Sequence, residues 1–130
     1  MTIRDLNGRT HSWQLGKYVG KQRMETSQLH ADTRDFLTEK YPAMQILEEV
    51  YLPGESMFLD FYMPAMKLAI ECQGVQHDKF VPHFHGSKMK FFAGKANDRR
   101  KLEWCQLNGI KLIYFYPKED VETWQQKLSQ

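Results

Sequence analysis

A mixed α/β sandwich is the fold class this sequence predicts, and three observations predict it. Short runs rich in β-branched, aromatic and aliphatic residues recur at Gln45–Leu52, Met57–Tyr62, Lys67–Gln73 and Ile110–Tyr116. Two longer stretches, from Ser27 to about Lys40 and from Met89 or Ala93 to Leu107, carry capping residues at one end. The two kinds of segment interleave, which is the order expected when helices cover a sheet. At 130 residues, one domain with a sizeable core is expected.

Taken in order, Ile3–Leu6 and Arg9–Trp13 flank Asn7-Gly8, a two-residue turn signal, and predict a small hairpin. Residues 14–26 are polar and basic with little periodicity, and are expected to wrap over the surface. Ser27 predicts the cap of a first helix, with Leu29, Thr33, Phe36 and Leu37 toward the core and Tyr41-Pro42 as its stop. A strand follows at Gln45–Leu52, closed by the turn Pro53-Gly54-Glu55-Ser56. Met57–Tyr62 and Lys67–Gln73 predict a hairpin around Met63–Met66, with Tyr62 opposite Lys67. Beyond a loop rich in His, Phe and Gly comes the second helix, which Asn108-Gly109 terminates. Ile110–Tyr116 reads as the last strand, and Asp120–Lys127 as a short final helix. Internal repeats, low-complexity tracts and linkers are absent from the sequence.

Composition narrows the function classes. No run approaches 18 apolar residues and the first residues are polar, so neither a membrane span nor secretion is expected. Cys72 and Cys105 read as buried thiols, which fits a reducing cytoplasm. Net charge is only +2, but Lys79, Lys88, Lys90, Lys95, Arg99, Arg100 and Lys101 face a single acid, Asp98. Such a local basic surface suits a polyanion such as DNA, and equally a solvated helix face.

The chemistry is concentrated in the central hairpin. Asp60 lies within one apolar strand, Glu71 within the next, and His77 just beyond. Burying carboxylates in strand interiors is unfavourable unless a cation or hydrogen bonds compensate. Alternation puts Leu59 and Phe61 on one side of the first strand and Phe58, Asp60 and Tyr62 on the other. In the second, Leu68, Ile70 and Cys72 share one side, and Ala69, Glu71 and Gln73 the other. Pairing Tyr62 with Lys67 makes Asp60 and Glu71 diagonal neighbours, close enough for one Mg²⁺ ion. The imidazole of His77 suits acid–base work near neutrality. Asp98, Lys101, Leu102 and Cys105 share a helical stripe, which predicts Leu102 and Cys105 on the sheet and Asp98 and Lys101 aimed at its end.

Leu59-Asp60-Phe61, Ile70-Glu71-Cys72-Gln73-Gly74-Val75-Gln76-His77, and Asp98-Arg99-Arg100-Lys101 with Cys105 and Gly109–Ile113 together resemble the PD-(D/E)xK nuclease superfamily. The resemblance is closest to the branch of very-short-patch-repair endonucleases and phage homing endonucleases, and it covers roughly residues 27–117. It implies a restriction-endonuclease-like mixed β-sheet flanked by helices, with 1–26 as a hairpin and basic extension and 27–130 as the catalytic core. It also implies a Mg²⁺-dependent endodeoxyribonuclease, with Mn²⁺ as an alternative ion. In that reading Asp60 and Glu71 bind metal, His77 is acid or base, and Asp98 is a supporting acid, with Glu49 a weaker one.

Gln73 stands where the family commonly has Lys, so His77 or Lys101 must supply the positive charge. The first helix offers only Asp32 or Asp35 for the family's helical acid, or His30 in its place. Lys79, Lys88, Lys90, Lys95, Arg99 and Arg100 are the expected phosphate contacts. Specificity is expected from DNA structure, a homodimer or a specificity-conferring partner protein. Phage encoding, hence a host cytoplasm, fits the resemblance.

Two other functions compete. A DNA-binding or assembly module that keeps the scaffold without cleavage fits Gln73 and the modest net charge. A zinc site would draw on Cys72, His77, His83 and His85, although their spacing follows no familiar pattern. A purely structural domain has to explain both strand acids and His77 separately. The loop Phe80–Gly86 reads either as a cover for the core or as a wall of a DNA groove.

Overall fold

A computed structural model describes residues 1–24, 26–74 and 88–130, and the side chains of all of these except 88–94. The chain is mixed α/β, with a four-stranded sheet between helices. Strands β1 (Thr2–Arg4) and β2 (Thr10–Ser12) form the N-terminal hairpin, and helix α1 (Gln28–Lys40) follows. Strands β3 (Leu47–Leu52), β4 (Met57–Met63) and β5 (Leu68–Cys72), helix α2 (Lys88–Leu107), strand β6 (Lys111–Phe115) and helix α3 (Val121–Ser129) complete it. The sheet order is β3-β4-β5-β6, antiparallel except for the parallel β5–β6 pair that α2 connects.

Local chemistry explains the boundaries. The Ser27 side chain accepts a hydrogen bond from the His30 amide, an N-cap contributing about 1 kcal/mol. Asp120 caps α3 through the Thr123 amide in the same way. Helix α2 ends at Gly109, whose φ of 70° is left-handed. The Gly109 and Ile110 amides donate back to the Gln106 and Cys105 carbonyls, closing the helix end.

Both faces of the sheet are covered, so β4 and β5 are apolar on both sides. On one face Ile3 and Trp13 of the hairpin and Trp104 and Cys105 of α2 pack on Val50, Leu59, Tyr62 and Ala69. On the other, Leu29 and Leu37 of α1 and Trp124 of α3 pack on Phe61, Met63, Ile70 and Phe115. Trp124 stacks on Phe115 with ring centroids 4.4 Å apart. Helix α2 is braced at two points. Asn108 exchanges hydrogen bonds with the Arg4 backbone at 2.8 and 2.9 Å, and Arg100 Nη2 donates to buried Glu55 at 3.0 Å.

Three sequence expectations are corrected. The hairpin register is shifted by two residues, because Tyr62 pairs with Ala69 rather than Lys67. A 3₁₀ turn at Pro64–Met66 and a left-handed Lys67 (φ 48°) take up the extra residues. Alternation also breaks in β4: Leu59 and Tyr62 face the α2 side, whereas Phe61 faces α1. Finally, Leu102 is exposed (38 %), and the fully buried Trp104 packs on the sheet beside Cys105 in its place. The buried stripe of α2 is turned toward the side of the bulkier indole.

Candidate active site

The break in alternation marks the site. The β3–β4 pairing continues from Glu48–Phe61 to Val50–Leu59 but skips the step between them, which would join Glu49 to Asp60. The β4–β5 pairing ends at Phe61–Ile70, and one further step sets Asp60 across from Glu71. Glu49, Asp60 and Glu71 therefore form a row across three neighbouring strands. Glu49 is left-handed (φ 52°), a conformation that disfavours a residue with a Cβ and tends to persist at functional sites.

Along this row, carboxylates replace part of the ladder. The Asp60 amide donates to Glu71 Oε2 at 2.7 Å, and the Cys72 amide donates to Asp60 Oδ2 at 2.8 Å. Each acid thus satisfies a backbone donor on or beside the other's strand. The two acids are nearer neighbours than a diagonal pair, and they stay at one level of the sheet.

Among the described residues, two cations attend the row. Lys101 Nζ donates to Glu71 Oε1 from α2. Arg23, in the segment before α1, places Nε 3.2 Å from Glu49 Oε2 and Nη1 3.9 Å from Asp60 Oδ1. Burial pushes the Glu71 carboxyl up to about 8, the neighbouring Asp60 charge pushes the same way, and Lys101 only partly offsets them. The pair Asp60–Glu71 offers hard oxygen donors, which fit Mg²⁺ or Mn²⁺ in donor chemistry. Among the described residues, no group of three or more His, Cys, Asp or Glu side chains is arranged to hold a metal.

The other expected residues fall as follows. Gln73 lies just past β5, its amide donating to the Phe115 carbonyl and its Nε2 to Asp98 Oδ1 at a long 3.4 Å. Asp98 and Lys101 both lie on α2, so that helix reaches Glu71 and Gln73 together. His77, Lys79, His83, His85 and the loop Phe80–Gly86 lie outside the described residues. Lys88 and Lys90 are on α2, with their side chains outside the description. Lys95 is half-buried, Arg99 exposed, and Arg100 is engaged by Glu55. Asp32 and Asp35 border a cleft between α1 and α3 together with Trp124. Cys72 turns to α1, its thiol donating to Thr33 Oγ1 at 3.4 Å. Burial pushes both thiols up to about 12, as expected of inert cysteines.

Sequence reasoning missed Glu48. Its buried carboxylate accepts from His30 Nε2 at 2.8 Å, from Arg34 Nε and Nη2 at 2.6 and 2.7 Å, and from the Arg23 amide at 3.3 Å. Burial alone would raise Glu48, but these bonds outweigh it and hold the group below the ordinary range. A signal was present: His30 and Arg34, one turn apart behind the Ser27 cap, call for a buried anion opposite α1.

Protein-family models give no match to the chain. Part of it is 39 % identical over 67 residues to Uncharacterized protein 307L of Invertebrate iridescent virus 6, covering 51 % of this chain and 34 % of that protein. A second relative, Uncharacterized protein 094L of Frog virus 3, is 38 % identical over 77 residues, or 58 % of this chain and 50 % of that protein. The chain thus spans between a third and a half of the length of the curated relatives it matches. No solved structure matches it. Among the described residues, no helix is long and apolar enough to cross a membrane.

Proposed function

We propose that this chain is a metal-dependent DNA endonuclease of restriction-endonuclease-like fold, virus-encoded and acting in the host cytoplasm. One observation carries the reading: Asp60 and Glu71 occupy facing strand positions, with Glu71 kept from easy ionisation first by its burial and then by the charge of Asp60. Two viral relatives support the origin, and the resemblance in the sequence supports the chemistry.

A bound Mg²⁺ would polarise the scissile phosphate and acidify a water. Asp60 and Glu71 would hold it, while the backbone amides of Asp60 and Cys72 keep both carboxylates oriented. Lys101 brings to Glu71 the positive charge that Gln73 lacks. Gln73 and Asp98 form a polar pair beside it that can orient water. His77 is assigned proton transfer from its place in the sequence after β5. Lys88, Lys90, Lys95 and Arg99 of α2, with Lys79, would meet phosphates, whereas Arg100 is held by Glu55.

The test is incubation of the purified chain with supercoiled, linear and branched DNA, with Mg²⁺ or with EDTA. Nicking is expected only with Mg²⁺, and Asp60→Asn or Glu71→Gln should lower its rate by at least about 100-fold in a folded protein. A specific observation favours one second reading, a DNA-binding or assembly module without cleavage. The hydrogen bonds between the two acids and each other's strands are a structural use of both groups. Salt-sensitive DNA binding with no nicking under any divalent ion would decide for that module.

A further inference from the structure

We infer that Arg23 is a phosphate-binding residue that holds the DNA backbone beside Asp60. The inference rests on the endonuclease reading for where the scissile phosphate lies. Its own basis is the way the chain delivers this guanidinium. Arg23 belongs to an irregular segment, yet its backbone is pinned on both sides by the buried Glu48 network. Its amide donates to Glu48 Oε1 at 3.3 Å, and its carbonyl accepts from Arg34 Nη2 at 3.2 Å. Glu48 and Arg34 are in turn joined by two short bonds, and His30 completes the carboxylate's shell. A fully satisfied buried network thereby fixes the base of a long side chain that then reaches out over the acidic row.

The head of that side chain is not consumed there. Among the described residues its contacts are to Glu49 at 3.2 Å and, more loosely, to Asp60 at 3.9 Å, and 43 % of the side chain is exposed. A guanidinium has five N–H donors in a planar fork, so donors remain for a tetrahedral anion. The contact to half-exposed Glu49 is a screened surface pair, and exchanging it for a phosphate is easy. The left-handed backbone of Glu49 belongs to the same arrangement, because its carboxylate parks the guanidinium at the edge of the site. A divalent ion held by Asp60 and Glu71 would weaken the looser pull of Asp60 on Arg23 and leave the exposed Glu49 pair to be exchanged for a phosphate.

The test measures binding of a fluorescent DNA duplex with Ca²⁺ in place of Mg²⁺, over a series of salt concentrations. Arg23→Ala should weaken binding about tenfold, and should lower the slope of log affinity against log salt by about 0.9, one phosphate contact. Arg23→Lys should keep the slope and recover only part of the affinity, because charge survives and the fork does not. Equal affinity and slope in Arg23→Ala overturn the inference. So does weaker binding with an unchanged slope, which marks a structural effect. Wild-type cleavage with Mg²⁺ is scored separately. Nicking by wild type with no binding defect in Arg23→Ala sinks only the phosphate contact. An Arg23-dependent slope without nicking sinks only the endonuclease, and a wild type that does not bind DNA sinks both.

Discussion

Glu48 and Glu71 are buried alike, with 3 % of each side chain exposed, and sit on strands of one sheet, yet their carboxyls are driven in opposite directions. Glu48 is surrounded by donors on every side, from Arg34, His30 and the Arg23 amide, and they overcome the cost of burial. Among the described residues, Glu71 has one ammonium, Lys101, and one amide donor, that of Asp60, whose own carboxylate opposes its charge. Burial by itself therefore does not tell a structural carboxylate from a functional one. The balance of partners differs: among the described residues Glu48 is met by a guanidinium, an imidazole and an amide, whereas Glu71 is met by one ammonium and one amide and has an acid beside it.

Removing one cation from each acid is the strongest way to break this contrast. Arg34→Ala should destabilise the fold by about 3 kcal/mol or more in urea unfolding, because it strands a carboxylate that is ionised in the folded state. Lys101→Ala should cost about 1 kcal/mol, since Glu71 can take up a proton instead. Equal losses would dissolve the distinction.

The pH dependence sharpens it, because the two signs are opposite. The folded carboxyl of Glu71 is raised, so its contribution is full below the ordinary carboxylate range and is lost as pH climbs to about 8. Relative to wild type, Glu71→Gln should gain stability through that window, by at most about 1.4 kcal/mol per pH unit. Glu48 is lowered, so its contribution holds above the ordinary range and is lost as pH falls through the folded value. Glu48→Gln should therefore be most damaging at neutral pH and least in acid. Chemical denaturation across pH reads both, and parallel profiles would contradict the comparison.

The finest of these effects concerns metal. On the endonuclease reading, an ion bound at the Asp60–Glu71 pair would displace a proton from Glu71, so Mg²⁺ affinity should tighten by up to about tenfold per pH unit below about 8 and then level off. Calorimetry in two buffers of different ionisation enthalpy would show the proton release, and a pH-independent affinity would count against the pair as ligands.

Much of the architecture was legible in the sequence because it is written locally. Ser27 and Gly109 act within one turn of their helices, and the alternation of β5 separates Ala69 and Glu71 from Ile70 and Cys72 as expected. The mixed α/β order followed from the same cues. What was not legible depends on several strands at once. The row Glu49–Asp60–Glu71 exists only after the turn at Pro64–Met66 shifts the register, and after left-handed Glu49 upsets the alternation of β3. Leu47, Val50 and Leu52 consequently reach one cluster, although strict alternation would divide them. Arg23 was hidden for the same reason, since nothing near it in sequence announces the buried anchor that Glu48 provides.

The two braces on α2 have a mechanical consequence. Arg100 neighbours Lys101 in sequence and Asn108 follows two turns later, so the ammonium that meets Glu71 is carried on a rod fastened to Glu55 and to the Arg4 backbone. A rod held at two places can neither slide nor roll freely. Wear at the first hairpin, far from any acid in the central row, would therefore be felt as slack in the reach of Lys101.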